Sequence, residues 1–152
     1  NYFTTALPNE EFPIVGEVYI GWEDEMSRLD HYEIECVSGY SSNHEDYPGK
    51  NPLKVASSNL EIIEGEWNQE AVVTATISNS HQNAVIDAEM LAVLLDKNGH
   101  PVLFDTLDNV KVAGNGEAEY EIIFDLDEED PLPVSVDVFA YWSTWTELRE
   151  SE

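Results

Sequence analysis

The chain has almost no positive charge. Six Lys and Arg residues stand against 32 Asp and Glu, a formal net of -26. Phosphate recognition works through Lys and Arg that displace counterions, so neither nucleic acid nor an anionic lipid surface is an expected partner. Cysteine is nearly missing as well. A lone Cys36 excludes an intrachain disulfide and any zinc site built on cysteines. Its alternation with Tyr32 and Ile34 marks it as a small buried apolar residue. No apolar run approaches the ~18 residues of a membrane-spanning helix, so membrane insertion is not expected. The Gly-x-Ser-x-Gly elbow of serine hydrolases is absent, as is a glycine loop that would cradle phosphate. The four histidines, His31, His44, His81 and His100, have no metal-ligand spacing. No nucleophile, base or metal set is assembled, which points away from an enzyme and from a required cofactor.

What the chain does have is enough apolar material for a core, 42% of its residues with 11% aromatic, and a recurring period of two. Strict alternation marks strands with one face buried. Ala118, Tyr120, Ile122 and Phe124 share one side while Glu117, Glu119 and Glu121 share the other. Val73, Ala75 and Ile77 alternate with Thr74, Thr76 and Ser78. Val134, Val136, Val138, Ala140 and Trp142 alternate with Ser135 and Asp137. The segment from Ala84 to Leu95 is rich in helix formers, yet Ile86, Ala88, Met90, Ala92 and Leu94 also fall at period two. It runs into Asp96-Lys97-Asn98-Gly99, a hairpin-type reversal. That segment is expected to be a strand buried on most of both faces. Asn79 ends the strand before it, and Ala113-Gly114-Asn115-Gly116 supplies a further turn.

Several short strands with turns at such spacing predict an all-β fold, an immunoglobulin-like antiparallel β-sandwich over residues 57–146. A stretch rich in Ser, Asn, Pro and Gly, residues 41–56, reads as a linker or long loop, and residues 147–152 as a tail. Residues 1–40 read as a β-hairpin segment. Laid over the C-terminal part at a spacing of 102 residues, Glu17, Ile20, Trp22, Glu23 and Glu25 fall on Glu119, Ile122, Phe124, Asp125 and Asp127. The hairpin is therefore expected to close a preceding repeat. A hairpin alone is marginally stable, so it would add to the second domain or pair with another copy, giving a homodimer through strand edges. The start at Asn1 instead of Met is expected of a processed fragment.

From Ala75 to Val102 the sequence Ala-Thr-Ile-Ser-Asn-Ser, a short polar turn, an apolar strand ending Leu94-Leu95-Asp96 and then Lys-Asn-Gly99 resembles the FxLYD domain family. These are small β-sandwich modules of prokaryotic surface proteins and lipoproteins. Asn79 matches the family's turn after its first long strand, Asp96 and Gly99 match its aspartate and glycine turn, and Glu119 to Phe124 resembles a later strand. The resemblance covers about residues 59–142. Where the family favours Phe and Tyr, this chain has Ala92 and Leu95. It implies display outside the cytoplasm, on a secreted or lipid-anchored bacterial protein, with a spacer or adhesion role.

Two groups of residues are candidates for ligands. Calcium takes six to eight hard oxygen ligands, and Asp125, Asp127 and Asp130 head the densest acidic run. A solvated loop is the plain alternative. Tyr141 and Trp145 flank the last long strand, where exposed aromatics can stack on a surface glycan or anchor a protein partner. Packing explains them too.

Overall fold

The computed structural model describes residues 51–65, 68–127, 131–142 and 146–150. The expected hairpin of residues 1–40, its repeat and Cys36 lie outside them. The described residues are all strand, turn and coil, with no helix, so none that would cross a membrane. They form β1 (Leu53–Glu64), β2 (Gln69–Asn79), β3 (Ala84–Leu95), β4 (Pro101–Val112), β5 (Glu117–Leu126), β6 (Ser135–Tyr141) and β7 (Glu147–Arg149).

The strands make two antiparallel sheets in a β-sandwich-like arrangement. Sheet A has the order β1-β2-β5; sheet B has the order β4-β3-β6, with β7 also paired to β3. Across the core β1 packs on β6, β2 on β3 and β5 on β4. The inner wall of sheet A is the even-spaced set Ala71, Val73, Ala75 and Ile77 of β2 with Ile122, Phe124 and Leu126 of β5. Facing it are Val85, Ala88, Met90, Ala92 and Leu94 of β3, Val110 and Val112 of β4, and Trp142. Each fully buried Val, Leu, Ile or Met contributes about 1.5 to 3 kcal/mol relative to exposure, enough that these positions set the register.

Bulges account for the places where alternation in the sequence misleads. In β1 the partners step from Val55↔Ile77 to Ser57↔Thr76, so Ala56 is an extra residue that swaps the phase of the strand. Leu53 and Val55 point inward before it, and Leu60, opposite Val73, after it. The stretch expected to be loop therefore holds the first residues of an edge strand, starting at Leu53. In β3 the step from Val85↔Val112 to Ala88↔Val110 adds a residue; the next step, to Met90↔Leu107, adds one to β4 instead. The two bulges restore the original register. Asp87 (φ 56°) and Asn109 (φ 61°) take the left-handed backbone these kinks require, as Asp and Asn do more readily than other residues with a Cβ. Because of this, Val85 points into the core in place of Ile86. The Asp87 carbonyl accepts from the buried Thr146 hydroxyl at 3.0 Å, which directs the chain into β7. The supposed tail thus begins with a short strand paired to Ala84–Ile86. Val134, expected on the inner face, precedes β6 and is 62% exposed; its amide donates to the Leu95 carbonyl instead.

Both chain crossings at one end of the sandwich meet at Asn79, which is 3% exposed. Its Nδ2 donates to the carbonyls of Asn83 (2.9 Å), Ala113 (3.1 Å) and Val112 (3.2 Å). Its Oδ1 accepts from the His81 amide at 2.8 Å. One side chain so joins the β2–β3 turn to the β4–β5 turn, where Asn79 N also donates to Gly116 O and Asn115 N to His81 O. At the β4–β5 side the Tyr120 hydroxyl accepts from the Lys111 amide and donates to the Lys111 carbonyl, closing that edge. Asn79→Ala strands several buried partners and is expected to cost about 2 to 4 kcal/mol in urea unfolding. A loss below about 0.5 kcal/mol would show that the turns hold without it.

Candidate interaction surface

The residues singled out from sequence do not come together. Asp125 lies on the outward face of β5 and Asp127 just past its end, both exposed; Asp130 lies outside the described residues. Among the described residues no group of three His, Cys, Asp or Glu side chains is placed to hold a metal ion. Tyr141 is half-buried at the end of β6, and Trp145 lies outside the described residues. Of the turn residues, Asn79 belongs to the buried network above, while Asp96 and Gly99 build the β3–β4 hairpin.

That hairpin is organised by a single carboxylate. Asp96 Oδ1 accepts from the amides of Asn98 (2.7 Å) and His100 (2.9 Å), and Oδ2 accepts from Asn98 Nδ2 at 3.1 Å. Gly99 N closes back on Asp96 O at 3.0 Å. Gly99 has φ 79° with open space around it, so its backbone conformation, and not crowding, is what favours glycine there. The His100 amide, foremost, holds the Asp96 carboxyl below the usual carboxylate range.

Two broad surfaces remain, the outward faces of the sheets. On sheet A the register aligns Glu117, Glu119, Glu121, Ile123 and Asp125 of β5 beside Ser78, Thr76, Thr74, Val72 and Glu70 of β2. Beyond these on β1 stand Lys54, Ser57, Asn59, Glu61 and Ile63. The face is acidic, with an apolar middle where Val72 sits directly opposite Ile123, which is 52% exposed. Ile63 is also exposed, diagonal to Val72. Directly opposed Glu70 and Asp125 repel one another. This face was half legible: alternation of Glu with apolar residues marked the acidic column, but the cross-strand pair needs the register.

On sheet B the outward face has an apolar centre. Leu91 lies between Phe139 of β6 and Thr106 of β4, and Val93 between Asp137 and Phe104. At the next outward pair Tyr141 stands opposite Glu89. Burial first, and then a hydrogen bond to the Glu89 carboxylate and the nearby charges of Glu89 and Asp108, push the Tyr141 hydroxyl well above its ordinary pKa. The signal in the sequence was the run Met90–Leu95, which is apolar at both parities.

No protein-family model matches the chain, and no curated protein matches it. It is similar to a solved X-ray structure, Northeast Structural Genomics Consortium target SoR45, at 14% identity and a TM-score of 0.37, over 66% of this chain and 87% of that one.

The lowered Asp96 pKa sets a direction for pH dependence. A carboxyl whose folded value lies below its ordinary 3.8 stabilises the fold above the unfolded value and loses that contribution as pH falls through the folded one. Asp96→Asn is therefore expected to lower the urea midpoint near neutral pH. The gap to the wild type should shrink on acidification toward about pH 2. A gap that widens over that range contradicts the assignment.

Proposed function

We propose that this chain is a non-enzymatic module of a secreted or lipid-anchored bacterial surface protein, acting as a spacer with an adhesive face. The observation that carries the reading is the outward face of sheet A, where carboxylates of β5 flank the cross-strand pair of Val72 and the half-exposed Ile123. An apolar anchor inside a charged rim is the composition of a contact surface, and the charge sign selects a partner with basic residues around an apolar side chain. The sequence resemblance of Ala75–Val102 to FxLYD modules adds support for display on a cell surface. Many of the polar side chains that catalysis would draw on take part in the scaffold: Asn79 and Thr146 in buried bonds, Asp96 in its turn, Tyr120 on the Lys111 backbone.

The test uses the full chain coated on beads and an immobilised peptide alternating Lys with Leu as probe. Binding is expected to fall steeply between about 50 and about 300 mM salt, as exposed charges are screened. Ile123→Ser should weaken it at unchanged charge, and Glu119→Lys with Glu121→Lys should abolish it. Binding that ignores all three substitutions removes this face from the reading. A melting temperature raised by millimolar calcium and restored by EDTA would favour a cation-binding module instead.

A further inference from the structure

Sheet A ends on one side at β5, and the direction of every backbone group along that strand follows from one bond. The Asn79 amide donates to the Gly116 carbonyl at 2.9 Å, and the register from Ser78↔Glu117 to Gln69↔Leu126 continues it without a shift. In an antiparallel pair, residues bonded to the partner strand alternate with residues whose N–H and C=O turn away from it. Ala118, Tyr120, Ile122 and Phe124 therefore bond to β2. Glu117, Glu119, Glu121, Ile123 and Asp125 present their backbone groups to the opposite side, where no strand pairs with β5 among the described residues. The side chains of these same residues stand exposed on the outward face.

The other long edges carry obstacles. Asn51 Oδ1 accepts from the Leu53 amide of β1 at 3.0 Å while its Nδ2 donates to the Ala140 carbonyl of β6 at 2.9 Å, so one side chain occupies backbone groups of both strands. A bulge at Ala56 then breaks the phase of β1. On β4, the Tyr120 hydroxyl takes both backbone groups of Lys111, Pro101 opens the strand, and the bulge at Asn109 kinks it. Bulges, proline and covering groups are how sheets keep an edge from adding a further strand. β5 has no Pro, Gly or bulge in its 10 residues. Its donors and acceptors lie in one unbroken row.

Charge decides what that row accepts. Residues of an added strand lie directly opposite those of β5, and like charges in such positions are destabilising. A second copy of β5 is disfavoured, since any antiparallel register with substantial overlap sets Glu119, Glu121 or Asp125 against another carboxylate, in a chain of net charge -26. A strand with Lys or Arg opposite those three residues and an aliphatic residue opposite Ile123 matches the edge at each position.

We propose that the free edge of β5 binds an extended basic segment of another protein as an added antiparallel strand of sheet A. Read from its N-terminal end, the outward residues of that segment are basic, aliphatic, basic and basic, meeting Asp125, Ile123, Glu121 and Glu119 in turn. The inference rests on the adhesive reading of sheet A and gives that face its mode of binding. Main-chain bonds hold the segment and alternate side chains select it.

The test titrates the peptide Lys-Thr-Ile-Thr-Lys-Thr-Lys, with acetylated and amidated ends, into the isotope-labelled full chain at about 50 mM salt. Amides of Glu119, Glu121, Ile123 and Asp125 are expected to exchange freely in the protein alone and at least about tenfold more slowly with peptide bound. N-methylation of the Ile and of the Lys that meets Glu121 removes donors facing β5 and should weaken binding at least about tenfold, whereas N-methylation of the Thr on either side of the Ile, whose amides face away, should change it less than about threefold. Equal losses from the two methylated peptides, or binding that leaves the β5 amides exchanging freely, overturn the added strand and leave the adhesive face standing. The same holds if this peptide fails while the probe alternating Lys with Leu still binds; failure of both probes removes both readings. Slowing of the same amides with rising protein concentration and no peptide makes a second copy the occupant, which also overturns the proposal.

Discussion

The amide group of Asn79 is the fixed point of this fold. A sandwich of two sheets must send its chain across from one to the other, and each crossing is a turn with backbone groups that water would otherwise satisfy. Two of those turns, after β2 and after β4, lie at the same end of the core. Asn79 lies between them, where its two N–H groups reach three carbonyls and its oxygen takes the His81 amide. Asparagine is suited to the place because it both donates and accepts from one planar group. With that end closed, Val112 and Ile77 stay dry, and the pairing of β2 with β5 and of β3 with β4 begins in register.

A second constraint is the double burial of β3. Its inward residues meet the inner wall of sheet A, and Leu91 and Val93 on the other side are buried too. A strand dry on both faces reads as an almost continuous apolar run, which is how Ala84–Leu95 reads. The paired bulges at Asp87 and Asn109 then act as a local adjustment. Between them Asp87 anchors Thr146, while the register from Met90 to Leu94 returns to that of Val85.

Much of the architecture was legible because most strands keep one phase. β2, β5 and the inner half of β6 could be read off alternation, and the period of Ala88 to Leu94 outweighed the helix propensity of its Ala, Glu, Met and Leu. What was hidden lay where a bulge changes the phase. Ala56 splits β1 so that Leu53 and Val55 stand out of phase with Leu60, and the bulge around Asp108 and Asn109 does the same to β4. Val134 kept the alternation but not the position, since the strand begins after it. The surface was harder still. Pairs such as Val72 with Ile123 exist only once register is known, and the aspartates of the acidic run, alike in sequence, carry no geometry of their own. Asn79 could be seen as a turn residue, but nothing in its neighbours announced that it would be buried.

If the two crossings are one unit with the core, their amides should not open separately. Native-state hydrogen exchange of the His81 and Asn115 amides, which donate to Asn79 Oδ1 and His81 O within the turns, tests this directly. The account predicts opening free energies equal to those of Val73 and Ala92 in the central strands, reached only by global unfolding. Exchange from these two amides at the fast, denaturant-independent rates of ordinary surface turns, with the central strands still protected, would contradict it.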